Sequence, residues 1–370
     1  MGLNVNFDLN EDEQMLKAAV ERFVADRAAS ADGDCEASSA SGFAIENWHT
    51  LAELGILASS LPEELGGLEL DNSAIAVIHE ALGHGLVTEP VIENSILGAG
   101  LLLSHPGFSD WAEPLAEGSK RVALAHAERG SRGDIVAVET TAQSSSDSVT
   151  LNGHKPFVIA GYGCDGYIVS ARSEGDAAAG DFSLYFVPAD AAGLTSSSWR
   201  QTDGVVAAEL TLDGVTVPSE NEIPDGPVVL DRLETLSSLA RSAQMLGIME
   251  RLFADTLEYL RTREQFGQPL GGFQALQHRM TAQYAKLAQS RALLELAIVS
   301  EDDFEVAVKG ARAFIAKAAL DLGHEAIQMH GGMGVTDELA IGHGHKRLLM
   351  LTRWPDDPRA AMDAYARISA

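Results

Sequence analysis

Two short segments of the chain carry groups suited to gripping a phosphate-bearing ligand. Residues 261–274 read Arg-Thr-Arg-Glu-Gln-Phe-Gly-Gln-Pro-Leu-Gly-Gly-Phe-Gln, and residues 328–334 read Gln-Met-His-Gly-Gly-Met-Gly. The first offers the Arg263 guanidinium, a planar fork that matches phosphate oxygens bidentately, and the side-chain amide of Gln274. The second offers the Gln328 amide and the peptide N–H groups of Gly331 and Gly332, where the missing Cβ lets a ligand approach the backbone closely. A dinucleotide would find donors in both. Neither segment follows a predicted strand, so neither is a Rossmann fingerprint. Taken singly, each also has the composition of an ordinary helix–turn–helix corner.

The elements that must position these corners are helices. Leu230, Leu233, Leu236, Leu239, Ala243, Leu246, Met249, Phe253, Leu257 and Leu260 trace one long helical stripe that ends where the first corner begins. The periodicity predicts a second helix from Phe273 to Val299, a third from Glu305 to His330, and shorter ones over Asp337–Leu351 and Pro358–Ile368. Long helices with short connections imply an antiparallel bundle. The N-terminal third is also helical: Glu11–Ala28 carries an apolar stripe with Asn10 as its N-cap, and helices are expected over Asn72–Leu86 and Val91–Leu103. Between these regions the character changes. Short β-rich runs at Val122, Ile135–Ala142, Ser148, Lys155, Gly166, Phe182 and Ala207 are separated by Gly, Asn, Asp and Pro. They predict a small antiparallel barrel or sandwich, with Asn152-Gly153 as a hairpin turn. The fold class is therefore α+β, divided as an N-terminal helical domain over 1–118, a β-domain over 119–225 and a helical bundle over 226–370.

Bulk composition narrows the function classes. A net charge of −28 argues against nucleic acid or anionic lipid as partner. Apolar residues make up 46% of the 370, enough for a large core. The two cysteines, Cys35 and Cys164, suggest neither a disulfide framework nor a thiolate metal site. His330, His343 and His345 do not form a helical ligand pair, and no metal is expected. The N-terminal residues lack a secretory signature and no apolar run is long enough to cross a bilayer. The expectation is a cytoplasmic protein.

The two corners in this order, the N-terminal Trp48-x5-Leu-Gly-Ile followed by Pro62-Glu-Glu-Leu-Gly-Gly67, and the helix–β–helix arrangement together resemble the acyl-CoA dehydrogenase family over essentially the whole chain. The resemblance implies FAD as cofactor, an acyl-CoA substrate, an electron-transfer flavoprotein as acceptor, and α,β-dehydrogenation. In that reaction a carboxylate removes the α-proton while the β-hydrogen leaves as hydride. It further implies that Arg263, Phe266, Gln274, Gln328, Gly331 and Gly332 reach a flavin held by a neighbouring subunit. On the β-domain side it assigns Ser131 to a phosphate and Phe157 to the flavin ring.

The chain also departs from the family pattern. The segment that usually bears the base reads Arg353-Trp-Pro-Asp-Asp357 and holds no Glu. Asp356 or Asp357 would be the substitute, with shorter reach; the same pair before Pro358 also suits a helix cap. The family's other base position falls on Ser237, with Glu234 nearly a turn away. Ala125 and Ile159 stand where the family places threonine hydroxyls, so the flavin contacts of the β-domain are eroded while the bundle corners are intact. This asymmetry, with the segment from Asp337 to Arg347, resembles the companion subunit of hetero-oligomeric bacterial acyl-CoA dehydrogenases of the pimeloyl-CoA or steroid side-chain type. The catalytic Glu would then belong to a homologous partner. Three rivals are a self-sufficient homotetramer using Asp356 or Asp357, a non-catalytic binding or scaffold protein, and a flavin monooxygenase on the same fold.

Overall fold

A computed structural model describes residues 9–29, 42–129, 137–173, 182–300, 302–336 and 338–369. The chain forms two compact units. One comprises Met1–Ala29, Asn72–Val87 and Ser238–Ala370; the other comprises Ser30–Asp71 and Thr88–Ser237.

In the first unit, α1 (Glu11–Ala29) begins with a reciprocal capping box. Glu13 N donates to Asn10 Oδ1 at 2.9 Å, and Asn10 N donates to the Glu13 carboxylate at 2.7 Å. α3 (Asn72–His84) crosses the long helix α6 (Gly226–Thr262) so closely that backbone meets backbone. A Cβ at Gly83 or Gly247 would collide with the carbonyl of Gln244 or Glu80 respectively, so both crossing points require glycine. α7 (Gln274–Val299), α8 (Phe304–His330), α9 (Ala340–Leu351) and α10 (Pro358–Ile368) complete this unit. The predicted helices are all present, with ends shifted by a few residues.

The second unit contains α2 (Ile45–Glu53), a fully buried π-helical run Val91–Ala99 that continues into α4 (Gly100–Leu103), α5 (Ala112–Ala116), and an eight-stranded sheet. Its strands are β1 (Val122–Ala125), β2 (Thr141–Ser144), β3 (Ser148–Val158), β4 (Gly166–Ser173), β5 (Ser183–Pro188), β6 (Leu194–Arg200), β7 (Val206–Pro218) and β8 (Glu222–Ile223). The order is β6-β7-β3-β2-β4-β5-β8, with β1 added against β4. The sheet is mixed rather than antiparallel throughout, because β1 and β2 each pair parallel with β4.

Two local expectations are corrected. Asn152-Gly153 is not a hairpin turn; it lies inside β3, where the register with β7 shifts between Leu151 and Gly153. Gly153 packs on the side chain of Thr140, leaving no room for a Cβ, and the β2–β3 turn is instead made at Ser145–Asp147. The expected strand over 135–142 enters the ladder only from Thr141. Ile135 and Val136 lie outside the described residues. The N–H groups of Glu139 and Thr140 go to the Glu128 carboxylate, at 2.5 and 3.0 Å, instead of to a neighbouring strand.

Candidate functional site

The first corner is a β-hairpin grown from the end of α6. Arg263 N still donates to Tyr259 O at 2.8 Å. Glu264–Gln265 then pairs antiparallel with Gln268–Pro269, and Leu270 N returns to Arg263 O at 2.8 Å. The tip is Phe266-Gly267, with φ of 54° and 81°, as a two-residue turn of this hand demands. A non-glycine residue in left-handed conformation costs about 1–2 kcal/mol. Phe266 bears that cost while 90% exposed, its ring meeting Phe273 edge-on with centroids 6.1 Å apart. Gln274, the first residue of α7, is exposed beside it, as is Arg263.

The second corner ends α8. Gly331 has φ 60° and ψ −135°, a region that a residue with a Cβ strongly avoids. Residues Gly331–Val335 then turn as a short 3-10 segment. A Cβ placed on Gly331 or Gly332 would point into open space, while the Gly331 N–H itself donates to Gln328 O and closes α8. Gln328, one turn before, is exposed. The two corners share one seat. His330 stacks on Tyr259 with ring centroids 4.3 Å apart, and Met329 packs with Leu260 and Met280, flanked by Leu257, Leu270 and Leu276. The hydrophobic seat fixes the backbone, and Arg263, Phe266, Gln274, Gln328, Gly331 and Gly332 are left outward. An exposed guanidinium, two exposed amides and an open glycine pair fit a flavin dinucleotide: cation and N–H donors for the pyrophosphate, an unobstructed cradle for the ring system.

On the sheet, Ser131 lies outside the described residues. Ala125 is wholly buried in the sheet core, and Phe157 is half-buried and stacked on Trp199. Ile159, also half-buried, offers only carbon. Behind these positions is a polar knot with no counterpart in the sequence reading. Lys155, fully buried on β3, donates from Nζ to Glu128 Oε1 at 2.5 Å and to Ser170 Oγ at 2.9 Å. Glu128 also accepts from Thr140 Oγ1 at 2.6 Å. Burial pushes the Lys155 ammonium down to about 8, against the pull of Glu128. Burial works to raise the Glu128 carboxyl, but Lys155 and the Thr140 donors outweigh it and hold it below the ordinary carboxylate range. Both partners are therefore charged at neutral pH. Nothing in the sequence pairs residues so far apart; the available signal was a lysine heading the apolar run Pro156–Ile159.

The carboxylates near the chain's end are engaged. Asp356 Oδ1 accepts from Arg312 Nε at 3.2 Å, and Arg312 Nη2 also donates to the carbonyls of Trp354 and Asp356 at 2.6 and 3.1 Å. Asp357 is the N-cap of α10: its Oδ1 accepts from Arg359 N at 2.8 Å and Ala360 N at 3.0 Å. Hydrogen bonding from Ala360 N, then Arg359 N and the nearby arginine charges, holds the Asp357 carboxyl below its usual range against slight desolvation. Ser237 is fully buried and its Oγ has no hydrogen-bond partner. The basic residues following α8 do not act together: Arg347 is buried and donates to Gln244, whereas Arg353 is exposed and lies 3.9 Å from Asp357.

Comparisons with known proteins cover the same ground. Models of the acyl-CoA dehydrogenase N-terminal, middle and C-terminal domains match residues 10–105, 123–215 and 234–354. Acyl-CoA dehydrogenase FadE27 of Mycobacterium tuberculosis is 31% identical over 306 residues, spanning 78% of this chain and 79% of that protein. Among solved structures, the ChsE4-ChsE5 complex from Mycobacterium tuberculosis superimposes with a TM-score of 0.86 at 27% identity, covering 98% of each chain. A variant of the Tcur3481-Tcur3483 steroid ACAD does so with the same TM-score and identity, covering 96% of this chain and 97% of that one.

Proposed function

Since the chain belongs to the acyl-CoA dehydrogenase family, whose members are FAD-dependent, we propose that it works as one subunit of a hetero-oligomeric acyl-CoA dehydrogenase whose homologous partner carries the catalytic Glu. One observation carries this reading. The bundle corners present their ligand-binding groups outward, while neither candidate position for a base offers a free carboxylate. The ChsE4-ChsE5 complex and the Tcur3481-Tcur3483 protein, each named for two components, support a mixed assembly and, in the second case, a steroid-derived acyl group.

When bound, FAD supplies the hydride acceptor for the β-hydrogen. This chain's residues do the holding. Arg263 neutralises phosphate charge, Gln274 and Gln328 orient the nucleotide through amide hydrogen bonds, and the open backbone faces of Gly331 and Gly332 line its edge. Phe266, projecting from a hairpin tip, excludes water where the subunits meet. A general base for an α-proton needs a pKa raised toward the working pH. Asp357 is shifted the other way, and Asp356 is held by Arg312, so both engagements weigh against either as base. An electron-transfer flavoprotein is the expected acceptor.

The test is the visible spectrum of the chain purified alone and after co-expression with a homologue that carries a Glu base. The complex should be yellow and bleach with acyl-CoA. Full FAD occupancy with turnover by the chain alone would refute the companion role.

A further inference from the structure

Between the two corners stands a tyrosine whose hydroxyl is unused. Tyr259 lies in the last turn of α6, and Arg263 N still closes a helical bond to Tyr259 O at 2.8 Å. The two residues are therefore i and i+4, a spacing that sets their side chains on one face, one above the other. That face meets the second corner: the Tyr259 ring stacks on His330, the residue before Gly331, with centroids 4.3 Å apart and planes at 27°. His330 is 5% exposed and donates from Nδ1 to Ala326 O at 2.8 Å, so the ring beneath the tyrosine is held from behind. A stack of this kind covers the flat of the phenol and leaves its in-plane edge, where the hydroxyl sits, outside the contact. Tyr259 is half-buried, and among the described residues its hydroxyl makes no hydrogen bond. The contrast with Tyr167 is direct, since that hydroxyl donates to Gly161 O at 3.1 Å. A tyrosine hydroxyl held in place without a partner is ready for one from outside the chain.

The neighbours indicate what that partner is. Arg263 is exposed one turn further on, and Gly331 offers an open backbone face on the other side. A ligand that spans Arg263 and Gly331 crosses the tyrosine between them. Its anionic part, drawn to the guanidinium, comes within reach of an O–H donor on the same helix face. We propose that Tyr259 is a further binding residue of this site, its hydroxyl donating to a phosphate oxygen of the FAD that the two corners share. The stack on His330 fixes the tilt of the ring, so little side-chain freedom is lost when that hydrogen bond forms. No motif marks Tyr259, because only the docking of α8 on α6 brings His330 against it. The inference rests on the reading of the chain as a subunit whose corners face a partner's FAD.

The experiment uses the intact hetero-oligomer, stripped of flavin and titrated with FAD, for the natural chain, Tyr259→Phe, Tyr259→Leu and Arg263→Gln. Hydrogen bonds to charged groups are the strong ones, so Tyr259→Phe should weaken the affinity for FAD by about tenfold or more. Because phenylalanine keeps the stack, the melting temperature of the flavin-free complex should not move. Tyr259→Leu removes stack and hydroxyl together and should lower both affinity and melting temperature. Arg263→Gln reports on the first corner independently of the tyrosine. Natural affinity in Tyr259→Phe beside weakened binding in Arg263→Gln would overturn this inference and leave the companion role standing. A melting temperature of flavin-free Tyr259→Phe as low as that of Tyr259→Leu would make the hydroxyl a structural group and overturn it as well. A natural complex that takes up no FAD would overturn both.

Discussion

His79 should make this protein acid-labile by a calculable amount. It sits on α3 with no exposed surface. Its Nδ1 lies 2.8 Å from Ile75 O, which fixes the proton on Nδ1 and leaves Nε2 as a lone-pair nitrogen. Nε2 has no hydrogen-bond partner, so a second proton there would find no acceptor. Burial, reinforced by the Arg241 charge and partly opposed by the Ile75 hydrogen bond, pushes the imidazole from 6.5 down to about 4. The sign follows from linkage. The unfolded chain takes up the proton near 6.5 and the folded chain resists it, so stability is intact above that value and falls as pH drops toward the folded value. The full penalty is about 3 kcal/mol, and between about pH 7.5 and about pH 5 the loss is about 2 kcal/mol. The assay is urea unfolding of the natural chain and His79→Met at both pH values. Other titrating groups contribute equally to both proteins, so the variant should lose about 2 kcal/mol less than the natural chain on acidification. Equal losses would refute the assignment of a neutral, partnerless imidazole to this site.

Breaking the Glu128–Lys155 pair from either side, by Glu128→Gln or Lys155→Met, should cost about 3–5 kcal/mol by thermal or denaturant melts, because each leaves its partner buried and uncompensated; the double variant should recover part of that loss. Gly331→Ala should cost about 1–3 kcal/mol from backbone strain and also weaken FAD binding in the complex, read by calorimetry and flavin fluorescence. Asp357→Ala should remove the α10 cap at a cost of about 1 kcal/mol, with turnover of the hetero-oligomer unchanged; loss of turnover with flavin retained would restore Asp357 as base. Phe266→Gly should slightly stabilise the isolated chain by relieving left-handed strain, yet weaken subunit association in sedimentation measurements.

The sequence by itself determined the helices and both corners, because each is a local statement. Apolar residues at helical spacing must bury one face, and glycine at a helix end permits a backbone that other residues resist. The box between Asn10 and Glu13 and the cap at Asp357 were readable for the same reason. Where local signals compete with packing, the reading failed: Asn152-Gly153 has turn chemistry, but Thr140 needs the space beside Gly153, and the strand runs through with a bulge. Charge pairing and ring stacking were decided only by tertiary structure. Glu128 meets Lys155, and Phe157 meets Trp199, because strand order and register bring distant residues within a few ångströms. Such contacts depend on long-range pairing of the chain, which leaves no periodic trace in the order of its residues.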